Sequence, residues 1–145
     1  MSLEIIAKIS NKYGANPEYV LAGGGNTSCK DADFLFIKGS GTSLATIKPE
    51  EFVQLDRRAL AAIFCKKYPD DADAREAAVL SDMMAARVPG ESKRPSVETL
   101  LHDAIPSKFV LHLHPAEING MSCGKNGRAV FEKLFGDRGI WVRPI

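Results

Sequence analysis

Two of the chain's three histidines stand two residues apart in an apolar run, Phe109-Val110-Leu111-His112-Leu113-His114-Pro115. In an extended strand, residues i and i+2 project from one face, roughly 7 Å apart along the backbone. Imidazoles so placed can converge on one ion, each nitrogen about 2.0–2.1 Å from it. The same spacing also suits two histidines at a strand end that bond to backbone or carboxylates, so the pair alone leaves both readings open. Pro115 follows His114 directly and puts it at the strand's C-terminal end, where sites gather in α/β sheets. Upstream, Glu98 offers a carboxylate on a short helix. Near a metal it could be a ligand or the acid/base that moves a substrate proton, and away from one it is a solvated helix residue. His102 lies four residues further on the same helix face, a spacing that favours a local Glu98–His102 hydrogen bond.

Two glycine loops, Gly23–Ser28 (GGGNTS) and Lys38–Leu44 (KGSGTSL), join glycines to hydroxyl and amide side chains. Glycine lets backbone N–H groups turn toward an anion, and Asn and Ser add side-chain donors. Each loop also reads as an ordinary turn, and neither fits the Walker or dinucleotide-binding pattern. A helix start at Ser96 would add a third anion-attracting element. Lys38 as a Schiff-base amine lacks, from sequence, the burial that a low-pKa lysine needs.

These residues require a sheet with helices packed on it. Ile5, Ile6, Ile9 and Tyr13 fall at helical spacing before Gly14, so the chain opens with an amphipathic helix. A hairpin turning at Lys30–Asp33 leads into a strand at Phe34–Lys38, and FVQLD alternates as another short strand. Helices are expected at Arg57–Lys66, across DADAREAAVLSDMMAARV, and across PSVETLLHDA with Ser96 as its cap. KFVLHLH reads as a buried strand. Helices at about 115–121 and 127–135 follow, and IWV reads as a last strand. The alternation gives an α/β or α+β class.

A length of 145 residues fits one domain, 1–145, with 45% hydrophobic and 26% charged residues in the range of a folded protein. The net charge of +1 gives no reason to expect nucleic acid or an anionic membrane as partner. The N-terminus carries an early acid and only a short apolar stretch, so a cytoplasmic location is expected. Cys29, Cys65 and Cys123 are scattered without a CxxC pair, and each is read as a free thiol and a small buried apolar residue.

GGGNTS, KGSG, RPSVETLLHDAIP and FVLHLHP, in that order, resemble the class II aldolase/adducin family. Within it the likeness is greatest to the aldolase portion of bifunctional rhamnulose-1-phosphate aldolase/alcohol dehydrogenase proteins. The resemblance implies a three-layer α/β/α sandwich around a mostly antiparallel sheet, here shortened at the C-terminus, and a homo-oligomer, commonly a tetramer. It implies that Asn26, Ser40, Gly41 and Ser96 hold a substrate phosphate, that Glu98 is the catalytic acid/base, and that His112 and His114 are zinc ligands. The implied reaction is retro-aldol cleavage of a ketose 1-phosphate to dihydroxyacetone phosphate and a small aldehyde. The family's third zinc histidine falls well downstream of the pair, and no histidine follows His114 here. The alternative is a non-catalytic relative, an oligomerising module or a sugar-phosphate binder with an incomplete metal site.

Overall fold

The structure, a computed structural model, describes residues 2–142. Four strands, β1 (Asn26–Lys30), β2 (Phe34–Lys38), β3 (Phe52–Asp56) and β4 (Phe109–His112), form one antiparallel sheet in the order β3-β2-β1-β4. The helix α1 (Ser2–Gly14) lies on one face of the sheet. On the other lie α2 (Arg57–Cys65), α3 (Ala72–Ala85) and α4 (Thr99–Ala104). The helices α5 (Ala116–Cys123) and α6 (Gly127–Phe135) pack on each other after β4. This is the three-layer antiparallel architecture expected.

Strand alternation explains the layers. Leu35, Ile37, Val53 and Leu55 point to one face and pack with Leu60 and Ile63 of α2 and Met83 of α3. Phe36, Phe52, Cys29 and Phe109 point to the other and meet Ile6 and Ala7 of α1. Each fully buried aliphatic side chain stabilises the fold by roughly 1.5–3 kcal/mol. Helix starts are fixed by local carboxylates. Asp56 accepts from the amides of Arg58 and Ala59, and Asp71 from that of Ala74.

On β1 the face under the second helical layer changes character. Its residues there are Asn26, Ser28 and Lys30, all buried and all polar. The apolar half of the sheet thus carries α2 and α3, and the polar half carries α4.

Several expectations need correction. The 95–104 helix begins only at Thr99, with Glu98 in the capping position and Ser96 in the turn before it. The segment 108–114 is an edge strand, not a buried one: Leu111 is exposed and His114 lies beyond its end. The IWV segment forms no strand within the described residues, and Ile140 is 89% exposed. Its apolar pattern has no neighbouring strand to pair with there. Cys29 is buried as expected, but Cys65 and Cys123 are exposed free thiols at the ends of α2 and α5.

Candidate functional site

β4 runs beside β1 with His112 opposite Asn26. This register brings the histidine strand to the mouth of the first glycine loop. Gly25 makes the approach possible: its φ is +66°, and a Cβ there would stand 2.8 Å from the His112 carbonyl oxygen. The backbone of His114 is held in turn, its N–H donating to the Tyr19 carbonyl at 2.9 Å.

The two rings converge. His112 Nε2 and His114 Nε2 stand 3.1 Å apart, and Glu98 Oε1 lies 3.2 Å from His112 Nδ1. Each of Glu98, His112 and His114 offers one ligand atom within 4.8 Å of the other two. Two nitrogens bound to one tetrahedral ion stand roughly 3.3–3.4 Å apart, given bonds of about 2.0–2.1 Å. The observed pair is close to that separation, so a divalent cation fits between the Nε2 atoms with little adjustment. His112 Nδ1 is buried and lacks an aligned hydrogen-bond partner. With Nε2 turned to a cation, Nδ1–H would face the Glu98 carboxylate, an arrangement that orients metal-binding imidazoles.

A cavity of about 310 Å³ opens beside these groups, lined by Gly23, Gly24, Gly25, Asn26, Lys38, Ser40, Gly41, Ser96, Val97, Glu98 and His114. Every residue expected to hold a phosphate is therefore at one place. The second loop reaches it through backbone ties, Ser40 N–H donating to the Arg94 carbonyl at 2.8 Å and Gly39 bridging Pro95. Asn26 Nδ2 donates to Ser96 Oγ at 3.2 Å and also to Glu98 Oε2, so one amide links the first glycine loop to Ser96 and the carboxylate. Ser96 Oγ accepts from the Glu98 amide at 3.3 Å and fixes the turn that presents Glu98.

Two placements differ from expectation. The His102 ring does not bond the Glu98 carboxylate; between the two residues only the backbone is joined, His102 N–H donating to the Glu98 carbonyl at 3.1 Å. His102 is fully buried, and its Nδ1 lies 2.8 Å from Ser28 Oγ. The ring turns its Nδ1 toward the sheet because β1 offers a hydroxyl there; its Nε2 is buried without a hydrogen-bond partner and does not join the Glu98–His112–His114 group. Burial first, then the positive charges of His112 and Lys30, push the His102 pKa down to about 4, with Glu98 opposing. Lys38 is 5% exposed, so it has the burial that the sequence did not reveal. Desolvation lowers its pKa, Glu98 opposes by stabilising the charge, and Nζ reaches the Gly23 carbonyl at 3.5 Å. The signal for Lys38 was its position at a strand end abutting a glycine loop. For Ser28 and Lys30 it was their period-two spacing with Asn26.

Comparison with known proteins gives consistent results. Residues 4–137 match the family described as "Class II Aldolase and Adducin N-terminal domain". The chain is 34% identical over 142 residues to the uncharacterized oxidoreductase YuxG of Bacillus subtilis (strain 168), covering 92% of this chain and 20% of that protein. A solved structure, the N-terminal class II aldolase domain of a conserved protein from Thermoplasma acidophilum, superposes with a TM-score of 0.79 at 30% identity. That match covers 94% of this chain and 65% of the solved one. The chain thus spans a fifth of the curated relative and just under two thirds of the solved domain.

Proposed function

The chain belongs to the class II aldolase and adducin family, and from that premise we propose that it carries the catalytic groups of a zinc-dependent sugar-phosphate aldolase. The reaction is retro-aldol cleavage of a ketose 1-phosphate, of the rhamnulose 1-phosphate kind, to dihydroxyacetone phosphate and a small aldehyde. The observation that carries this reading is the convergence of Glu98, His112 and His114 on one another beside a cavity that Glu98 and His114 line together with Asn26, Ser40 and Ser96. The match to a fifth of a longer protein named as an oxidoreductase supports the likeness to aldolase portions of bifunctional proteins.

His112 and His114 would hold the zinc, which supplies a Lewis acid for the substrate's carbonyl and adjacent hydroxyl oxygens. Asn26, Ser40 and Ser96 offer donors to the phosphate, while Gly41, with φ +86°, lets the second loop turn its backbone to the cavity. Lys38 adds a positive charge behind the first loop and offsets part of the phosphate charge. Holding the phosphate fixes the distance from the reacting carbons to Glu98 and converts binding into orientation. The C4 hydroxyl gives up its proton as C4 becomes the aldehyde carbon, cleavage of the C3–C4 bond leaves its electron pair on C3, and one proton returns to that carbon through Glu98. Asn26 holds the carboxylate by Oε2, while Oε1 stands 3.2 Å from His112 Nδ1, so both neighbours fix where the carboxyl group meets the substrate.

The test is dihydroxyacetone phosphate release from rhamnulose 1-phosphate by the protein as its gene encodes it, with zinc supplied. Glu98→Gln should abolish release while zinc still binds. A natural protein that binds stoichiometric zinc but cleaves no ketose 1-phosphate would refute the aldolase reading. The second reading, a sugar-phosphate binder or oligomerising relative, is favoured by one observation: His102, the third histidine, bonds Ser28 through Nδ1 and lies outside the converging group of Glu98, His112 and His114. Calorimetric binding of a ketose phosphate without turnover would support it.

A further inference from the structure

The carboxylate proposed as the acid/base sits at the start of a helix too short to hold itself in place. α4 has six residues, and its buried residues are Thr99, His102 and Asp103, none of them aliphatic. Leu100 is only partly buried, and Leu101 is exposed. Isolated helices of this length are unstable in water, and most protein helices gain their stability from an apolar face. α4 has little of one. Directional bonds must therefore do much of the positioning.

Arg57 of α2 supplies one of those bonds, Nε donating to Asp103 Oδ1 at 2.5 Å, and the rest of the side-chain anchors come from one row of β1. At the front, Asn26 Nδ2 donates to Glu98 Oε2 and Ser96 Oγ. In the middle, Ser28 Oγ bonds His102 Nδ1 at 2.8 Å. At the rear, Lys30 Nζ donates to the carbonyls of His102, Asp103 (3.1 Å) and Ile105. The last carbonyls of a helix lack intrahelical partners and carry its negative dipole end, so an ammonium there is favourable on both counts. The lengths also agree. Residues 26–30 of a strand span roughly 13 Å, and residues 98–105 at helical rise roughly 10 Å. Three anchors on consecutive same-face positions therefore engage the whole helix from end to end.

We propose that Asn26, Ser28 and Lys30 form a polar rail that sets the axial position of α4, and that Ser28, Lys30 and His102 are positioning residues for Glu98. Asn26 stands opposite His112 in the sheet, so the strand that carries the rail also references the histidine pair. A slip of α4 by one residue moves it about 1.5 Å along its axis. That is enough to take Glu98 out of its 3.2 Å contact with His112. The catalytic part of this inference rests on the aldolase reading above, while the mechanical part does not.

The test uses the natural full-length protein and three variants, Lys30→Met, Lys30→Arg and Ser28→Ala. Amide hydrogen exchange over residues 99–105 should speed up at least tenfold in Lys30→Met while β2 and β3 keep wild-type protection, and Lys30→Arg should restore most of it. With Co2+ as the probe metal, the visible absorption bands should shift in Lys30→Met and return in Lys30→Arg. Turnover of a ketose 1-phosphate should lose at least tenfold in kcat with KM changed less than about threefold. Unchanged exchange at 99–105, or equal losses in the Met and Arg variants, would overturn the proposal. If Lys30→Met does not fold, Ser28→Ala is read by the same exchange and spectral criteria. A wild-type protein that turns over no ketose phosphate defeats the aldolase reading alone, because exchange still decides whether the rail holds the helix.

Discussion

Acid should weaken this fold through His102 before it reaches most of its carboxylates. The ring is fully buried and its pKa lies at about 4 instead of 6.5. As the pH falls below 6.5 the unfolded chain takes up the proton first, while the folded chain still excludes it. Stability from this group is complete above pH 6.5, declines as pH falls through the interval, and levels off below about 4. At 1.36 kcal/mol per pH unit the loss amounts to roughly 3 kcal/mol, a large fraction of a domain's usual stability. The groups facing the ring account for the direction: His112 and Lys30 repel a charge there, Glu98 attracts one, and desolvation exceeds them all. Asp82 and Glu91 also have depressed pKa values, but they lose their contribution below 3.8 and 4.5, a lower window. Urea unfolding followed by circular dichroism, in chelator and at several pH values between about 7.5 and 4.5, gives the wild-type curve. His102→Asn keeps a polar atom near Ser28 but cannot take up a proton, so its curve should be offset and flatter. The difference between the two should shrink by about 2 kcal/mol or more across the interval. Parallel curves would refute the burial argument.

Gly25→Ala should destabilise the protein by about 1–3 kcal/mol and weaken zinc binding together, because a side chain at φ +66° is strained and meets the His112 carbonyl at 2.8 Å; thermal unfolding and zinc competition read both. His114→Ala should lower zinc affinity by at least about 100-fold, with unfolding shifted little because the ring is exposed; an unchanged affinity would remove His114 from the site. Lys38→Met should raise KM for a ketose 1-phosphate about tenfold or more with a smaller effect on kcat, as expected of a charge that faces the phosphate. Borohydride with substrate should leave the wild-type enzyme unmodified, and a reduced adduct on Lys38 detected by mass spectrometry would assign the lysine a different chemistry.

What the sequence disclosed, and what it hid, divides along physical lines. Apolar periodicity, apolar runs and turn signals located the four strands and six α-helices of the described residues. β1, with the sequence NTSCK, shows no apolar alternation and was marked only by the glycine turn before it and the hairpin after it. The histidine pair, Glu98 and both glycine loops were legible as types, and the register of β4 on β1 brought them together. Burial of polar residues was not legible. Lys38 and His102 look like surface residues by composition, yet both lie inside, because the polar face of β1 and the glycine loops close over them. The side-chain bond between Glu98 and His102 failed for the same reason: helical spacing shows which residues are neighbours on a helix, but not that a strand hydroxyl competes for the ring. The IWV run misled in the opposite direction, since a short apolar run forms a strand only where it pairs with a partner edge.

Lys38 is where these two kinds of information meet most sharply. Burial gives it the depressed pKa that an amine nucleophile needs, so the structure restores an option that the sequence had set aside. Position argues the other way. Its ammonium reaches the Gly23 carbonyl in the anion loop, and the carboxylate in the same cavity stabilises its charged form. A nucleophile must be neutral when it attacks, whereas a phosphate partner must be charged when it binds. Glu98 favours the second state, and an incoming phosphate would favour it further. On the proposed aldolase reading, with an imidazole pair already spaced for a Lewis acid, the cavity would need a cation for the phosphate more than a second electrophile. The lysine is better placed to hold the substrate than to react with it.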